Sequence, residues 1–240
     1  MKKIVLLLLL VPLIGVAQFK DLIKKANNKA STITKTNSGL DIGAGLKEAL
    51  NKGVTEQVSK LTATDGFYKN EAVKILMPDE LQKVDKALRK MGMSNLADDG
   101  IKALNRAAED AVKEATPIFV TAIKNITITD AKSILLGKEN AATVYLQSST
   151  TTALYFKFSP VVQQSISKVG ADVIWASILK KYNSIPFVSK VNPDITDYVT
   201  NKALDGVFKM ITLEEKNIRT NLNSRTSDVL KKVFALQDKK

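Results

Sequence analysis

The stretch SNLADDGIKALNRAAEDAVKEATPIFVTAIKNI, residues 94–126, shows the pattern that decides the fold. Its apolar residues recur at steps of three and four, which is the period of a helix with one buried face. Ser94 stands where it can cap that helix, and Pro117 is expected to kink or restart it. The apolar stripe consists of Leu96, Ile101, Leu104, Ala107, Ala108, Ala111, Ala115, Ile118, Phe119, Ala122, Ile123 and Ile126.

The same period recurs on both sides of this stretch, whereas strand patterns bounded by hairpin turns are scarce. Thr129 is expected to cap a short helix, and Asp194 or Ile195 to begin the penultimate one. Pro160 is expected to break a long helix or to lie in a new first turn. Residues 62–77 are interpreted as a loop. Helices are predicted over 40–61, 78–91, 130–136, 141–149, 154–169, 174–182, 194–213 and 229–234. The sequence therefore predicts an all-α fold, an irregular bundle of about seven to nine helices.

The amino terminus has the composition of a secretory signal peptide. Lys2 and Lys3 precede an apolar run over 4–16, and the small residues Gly15 and Ala17 precede Gln18. The run is shorter than the roughly 20 apolar residues of a membrane-spanning helix. We therefore expect a leader over 1–17 with cleavage after Ala17, and an exported protein of the periplasm or envelope, soluble or peripheral.

Residues 18–39 are expected to form a short basic amphipathic helix and a flexible linker. Apolar residues fall at helical spacing there, and lysines occupy the other positions. This segment could lie on an anionic membrane surface with its apolar side chains inserted. The expected contacts are Phe19, Leu22, Ile23, Lys20, Lys24 and Lys25. A single helical domain would follow over 40–236, with a polar tail at 237–240.

The charge balance favours an anionic partner. The chain has 36 Lys and Arg against 24 Asp and Glu, a formal net charge of +12. Outside the cytoplasm the accessible anions are lipid headgroups and other envelope components, and nucleic acid is an unlikely partner there. A protein partner is a second possibility, and a net charge by itself also improves solubility without selecting any partner.

The residue inventory excludes several chemistries. The chain has no His and no Cys, so His-assisted triads and Cys/His zinc sites cannot be built. The carboxylate pairs Asp98/Asp99, Glu109/Asp110 and Glu214/Glu215 are interpreted as solvated helical faces, and Arg106 with Glu109 or Asp110 as a surface pair. The glycines in 39–47 are interpreted as helix-packing residues, and Trp175 and Phe156 as core. No cofactor or metal is predicted.

Several blocks of sequence carry a family resemblance. They are LKEAL at 46–50, TDGF at 64–67, LQKV at 81–84, LRK at 88–90, NRAAE at 105–109, DAKSIL at 130–135, KYN at 181–183, KALDGVF at 202–208 and RTSDVL at 225–230. With these blocks the chain resembles DUF4197, a bacterial family of exported proteins of unknown function. The resemblance implies one domain and an envelope location, and it implies no activity.

Polar residues beside the apolar stripes are the candidate site residues. They are Asp65, Arg106, Asp130, Asp205, Arg219 and Arg225. We favour helix caps or a buried ion network for them over a binding cleft. The leading hypothesis for function is a non-enzymatic helical domain that binds an anionic or partly apolar envelope component, or a protein. The alternative is a carboxylate-dependent hydrolase of cell-wall or envelope glycans that uses Asp65 and Asp130.

Overall fold

Every regular element in the described part of the chain is helical. The computed structural model describes residues 42–79, 82–90, 92, 94–170 and 194–238, with single positions and pairs between 172 and 190. The elements are α1 (Ile42–Thr62), α2 (Gln82–Lys90), α3 (Ser94–Val112), α4 (Ala115–Lys124), α5 (Ile128–Leu136), α6 (Ala141–Ser167), α7 (Ile195–Thr220), a 3-10 turn (Leu222–Ser224) and α8 (Asp228–Phe234). The predicted all-α class is confirmed. The predicted leader and basic segment, with Phe19, Lys20, Leu22, Ile23, Lys24 and Lys25, lie outside the described residues.

Three long helices form the centre of the bundle. Helices α3, α6 and α7 pack against one another, and α4 packs on α6. The Phe119 ring of α4 meets the Phe208 ring of α7 edge to face, with centroids 6.0 Å apart. Each fully buried large apolar side chain stabilises the fold by about 1.5–3 kcal/mol. Members of this core include Leu104, Ala108, Phe119, Leu154, Phe158, Val162, Val207 and Phe208.

Helix starts follow local hydrogen bonding. Asp194 caps α7 by accepting hydrogen bonds from the backbone N–H groups of Thr196 and Asp197, so the expected start of that helix is confirmed. The cap predicted at Thr129 is wrong: Thr127 caps α5 and forms a capping box with Asp130, which accepts from the Thr127 backbone N–H at 3.0 Å. Both threonines precede an apolar run, and only the Thr127 backbone is extended as a cap requires.

Prolines have different effects in two helices. Pro117 lies in the first turn of α4, so the expected restart of the helix is confirmed. The break predicted at Pro160 is wrong, because α6 runs unbroken through it. Pro160 and Phe156, one turn earlier, are both exposed, so water can reach the carbonyl that loses its partner. Phe156 is 71% exposed and is not a core residue, whereas Trp175 is buried as expected.

Close packing at two glycines brings elements together. A Cβ added at Gly45 would lie 2.6 Å from Val233, so α1 touches α8 there, as expected of helix-packing glycines. A Cβ at Gly206 of α7 would lie 2.6 Å from the ring of Phe67, which is fully buried. No helix in the described residues has the length and apolar character needed to cross a membrane.

Replacing Gly206 tests this packing against a matched control. Gly206→Ala places a methyl group against the Phe67 ring, and such overpacking should lower the free energy of unfolding by about 1–3 kcal/mol. In Gly53→Ala the nearest atom to the new methyl group is the Glu214 Cγ at 3.9 Å, and loss of a helical glycine should stabilise by up to about 1 kcal/mol. Urea unfolding followed by circular dichroism measures both. Equal stability of the two variants would contradict the packing.

Candidate functional site

A buried carboxylate of α7 binds the start of α6. Glu215 accepts hydrogen bonds from the backbone N–H groups of Ala142 at 2.9 Å and Thr143 at 2.8 Å, and from the Thr143 hydroxyl. These amides belong to the first turn of α6, where N–H groups have no partner within the helix and the helix dipole favours a negative charge. Glu215 therefore caps α6 from a neighbouring helix.

The partner of this carboxylate caps a third helix. The Arg219 guanidinium donates two hydrogen bonds to Glu215. It also donates to the carbonyl oxygens of Ile134 at 2.7 Å and Leu135 at 3.1 Å, in the last turn of α5. Carbonyl groups in the last turn lack the usual i+4 helical donors, and a cation is favourable there. The buried ion pair on α7 thus fixes both ends of the connection from α5 to α6.

Arg225 closes the end of α7 with the carboxyl-terminal residues. Its guanidinium donates to the carbonyl oxygens of Ile218 at 3.0 Å and Arg219 at 3.2 Å, and to both carboxylate oxygens of Asp238. The Phe234 ring lies within 6 Å of the guanidinium groups of Arg219 and Arg225. The hydrogen bonds from Arg225 hold the pKa of Asp238 below its usual range.

A second buried carboxylate, on α3, holds the segment after α1. Glu109 accepts hydrogen bonds from the backbone N–H groups of Phe67 at 3.0 Å and Tyr68 at 3.3 Å. Its other oxygen pairs with Arg106, which also pairs with Asp65. This arrangement fixes the turn that carries the buried Phe67 ring.

Asp65 is held by two cations. Lys69 Nζ lies 2.8 Å from its carboxylate, and Arg106 binds the other oxygen. The hydrogen bond from Lys69, together with the charges of both cations, lowers the pKa of Asp65. Asp65 also has a φ of 68°, a left-handed conformation that Asp and Asn tolerate better than most residues.

A side-chain amide on α3 holds the same segment at a second place. Asn105 of α3 accepts a hydrogen bond from the Ile75 backbone N–H at 2.8 Å and donates to the Ile75 carbonyl at 2.8 Å. A single side chain therefore satisfies both backbone groups of one residue in a segment without helix. The segment is fixed on α3 at Phe67 and again at Ile75.

The interpretation of the carboxylate pairs as solvated faces is wrong for two of them. Glu109 and Glu215 are buried, and the pair of Arg106 with Glu109 is partly buried. One signal in the sequence could have identified Glu215: it stands four residues after Ile211 and three before Ile218, within the apolar stripe of α7. A charge in such a stripe indicates a buried partner.

The six candidate site residues lie in separate parts of the structure. Arg106 and Asp65 share one cluster, and Arg219 and Arg225 share another. Asp130 belongs to the capping box of α5, and the hydrogen bonds from Thr127 lower its pKa. Asp205 is exposed. The described residues contain no cluster of three or more carboxylates that could hold a metal ion.

Asp205 lies in a groove that we call the lysine groove. The groove has a volume of about 480 Å³ and runs between the segment around residues 72–79 and one face of α7. Its lining is Ala72, Val73, Lys74, Ile75, Leu76, Met77, Pro78, Asp79, Gln82, Tyr198, Lys202, Asp205, Gly206 and Lys209. The α7 residues Tyr198, Lys202, Asp205 and Lys209 follow at helical steps, which places them on one face.

The groove combines ammonium groups with an apolar rim. Lys74 Nζ lies 4.8 Å from the centre of the Tyr68 ring, and Lys202 Nζ lies 3.9 Å from the Asp205 carboxylate. Lys209 is exposed on the same helix face. Leu76 is 52% exposed at the rim. An anionic group and an apolar group can therefore be accommodated side by side.

Comparison with known proteins identifies the family. The chain belongs to the family described as protein of unknown function (DUF4197), whose model matches residues 36–235. The predicted family resemblance is confirmed. No curated protein and no solved structure matches the chain.

Glu215→Gln tests the buried ion pair. The change leaves Arg219 buried without a countercharge and replaces one accepting oxygen by a donor, so we expect a loss of about 3 kcal/mol or more in the free energy of unfolding. Glu214→Gln is the control, since Glu214 accepts a partly buried hydrogen bond from the Gln57 amide. Its cost should be below about 1.5 kcal/mol. Chemical unfolding at neutral pH compares the two, and equal costs would refute the assignment.

Asp238→Asn tests the carboxyl-terminal ion pair through pH. Because the pKa of Asp238 is lowered in the folded state, its pair with Arg225 stabilises the fold above the unfolded carboxyl pKa of about 3.9. That stability is lost as the pH falls through the lower folded pKa. The variant should therefore lose less stability than the parent between neutral and acid pH. Parallel pH profiles of the unfolding free energy would contradict this.

Proposed function

We propose that this chain is an exported, non-catalytic helical domain of the cell envelope that binds an anionic, partly apolar envelope component in the lysine groove. The observation that carries the proposal is the convergence of Lys74, Lys202 and Lys209 with exposed Leu76 on one groove. Binding sites for small molecules combine apolar lining with a few placed polar groups.

The rigidity of the groove walls supports binding. One wall is α7, a helix of 26 residues in the centre of the bundle. The other wall is fixed on α3 at Ile75 by Asn105, and the Tyr198 hydroxyl donates to the Leu76 carbonyl at 2.8 Å. A preformed groove loses little conformational freedom when a ligand enters, so more of the contact energy appears as affinity.

The charge distribution supports an anionic ligand. Three lysines line the groove against Asp79 and Asp205, and the whole chain carries +12. A field of this sign raises the local concentration of anions and accelerates their encounter with the groove.

The amino-terminal sequence supports the location. The predicted leader over 1–17 would direct the chain out of the cytoplasm. Outside the cytoplasm, lipid headgroups and other envelope anions are the available partners. Residues 18–38, with Phe19, Leu22 and Ile23, would then hold the domain at an anionic membrane surface. We include this attachment in the proposal.

The contacts of Asp65 and Asp130, the two carboxylates considered for hydrolysis, favour a binding function over a hydrolase. Asp65 is paired with Lys69 and Arg106, and Asp130 is part of a capping box. Neither lines the lysine groove. A general acid or base must reach the proton that it transfers, and a carboxylate held with a lowered pKa is a weak base.

Native mass spectrometry of protein purified gently from its own cell envelope tests the proposal. We expect a reproducible mass excess over the apo protein. The excess should be lost in the double variant Lys202→Gln, Lys209→Gln, because each lysine contributes about 1 kcal/mol near an anionic group, roughly fivefold in affinity.

Lys157→Gln serves as the matched control. Lys157 is an exposed lysine of α6 that lines a different groove, between α4 and α6, of about 550 Å³. This variant should keep the mass excess. An apo mass for the parent protein, or an equal excess in the double variant, would refute the proposed function.

A further inference from the structure

We infer that the lysine groove binds a single-headed anionic amphiphile in one orientation, with its head between Lys74 and Lys202 and its apolar chain along Leu76, Met77 and Pro78. This inference rests on the proposed function and specifies the class of ligand. It follows from the register of the two walls, from the distribution of apolar surface and from the balance of charges.

The two walls run in opposite directions. At one end the Asn70 amide contacts the Met210 sulfur at 3.7 Å, and at the other the Tyr198 hydroxyl binds the Leu76 carbonyl. Between them, a Cβ built at Gly206 would lie 3.4 Å from Val73. Residue numbers therefore rise along the segment as they fall along α7.

This register places two lysines opposite each other. Lys74 follows Val73 and precedes Leu76, so it lies between the levels of Gly206 and Tyr198 on α7. Lys202 lies between the same two levels. Each ammonium group rests near a tyrosine ring, Lys74 at 4.8 Å from Tyr68 and Lys202 at 5.8 Å from Tyr198. An anion at this level can be reached from both walls.

Apolar surface lies on one side of this level. Leu76 is 52% exposed, and half-buried Met77 and buried Pro78 continue the lining beyond it as far as Asp79. On the other side Lys209 is polar and exposed, while Asp205 lies beside Lys202 at the level of the head. A molecule with one charged end and one apolar end matches this asymmetry in a single direction only.

The charge balance favours a head with a single negative charge. The lining has three lysines and two aspartates. Asp79 accepts a hydrogen bond from the Gln82 amide at 2.7 Å, and Asp205 lies 3.9 Å from Lys202 with its side chain 73% exposed. Both carboxylates would repel a polyanion, and like-charge juxtaposition selects against such ligands.

Calorimetric titration of the full chain with n-alkanoates of increasing chain length, below their micelle concentration and at low salt, tests the inference. Affinity should rise about three- to fourfold for each methylene that the groove covers and then level off. Acetate, which has no chain, and alkyl trimethylammonium ions, which have the opposite charge, should bind far more weakly.

Three exposed positions separate the head contact from the chain contact. Lys202→Gln should weaken every chain length by the same factor of about five. Asp205→Asn should tighten every chain length, because it removes a carboxylate beside the head. Leu76→Ser should reduce the gain per methylene and leave acetate binding unchanged. Lys157→Gln, in the groove between α4 and α6, should change nothing.

The outcomes distinguish this inference from the proposed function. A lysine-dependent mass excess in native protein, with alkanoate affinities that do not depend on chain length, overturns the amphiphile and leaves the proposed function standing. Absence of both overturns both. A chain-length dependence that persists unchanged in Leu76→Ser and Lys202→Gln overturns the assigned orientation.

Discussion

The buried pair of Glu215 and Arg219 is the contact on which the arrangement of the helices depends. Its carboxylate caps the start of α6 and its guanidinium caps the end of α5, while both side chains belong to α7. Burying two charges costs free energy, which the mutual attraction and the helix-end hydrogen bonds offset. The pair therefore adds geometric specificity: helices that slid relative to α7 would leave charges unpaired in the core.

Buried polar side chains of α3 also accept hydrogen bonds from a distant part of the chain. Glu109 holds two backbone amides of the segment after α1, and Asn105 holds both backbone groups of Ile75. These contacts fix a stretch of chain without helix on α3. The part of that stretch held by Asn105, around residues 72–79, is the second wall of the lysine groove, so a buried amide on α3 helps to determine the shape of the candidate binding site.

Two groups of charged residues in the described part of the protein have different roles. Glu109, Glu215, Arg219 and Arg225 are buried and hydrogen-bonded, and they determine how elements meet. Lys202, Lys209 and Asp205 remain exposed on α7, where their charges are available to a ligand. The difference follows from solvation. An exposed ammonium group keeps its hydration until a ligand binds, whereas a buried charged group must have its hydrogen-bond partners within the fold.

Sequence alone determined the helical class, the start of α7 at Asp194 or Ile195, the restart of the helix at Pro117 and the exclusion of His- and Cys-based chemistry. Each of these depends on residue type or on neighbours within a few positions. Tertiary structure decided the burial of Glu109 and Glu215, the continuity of α6 through Pro160 and the existence of the lysine groove. The hydrogen bonds from Ala142 and Thr143 to Glu215 span more than 70 residues of chain. Helical periodicity shows which face of a helix is apolar, but a buried charge is stable only when distant groups supply its hydrogen bonds, and the fold alone places those groups.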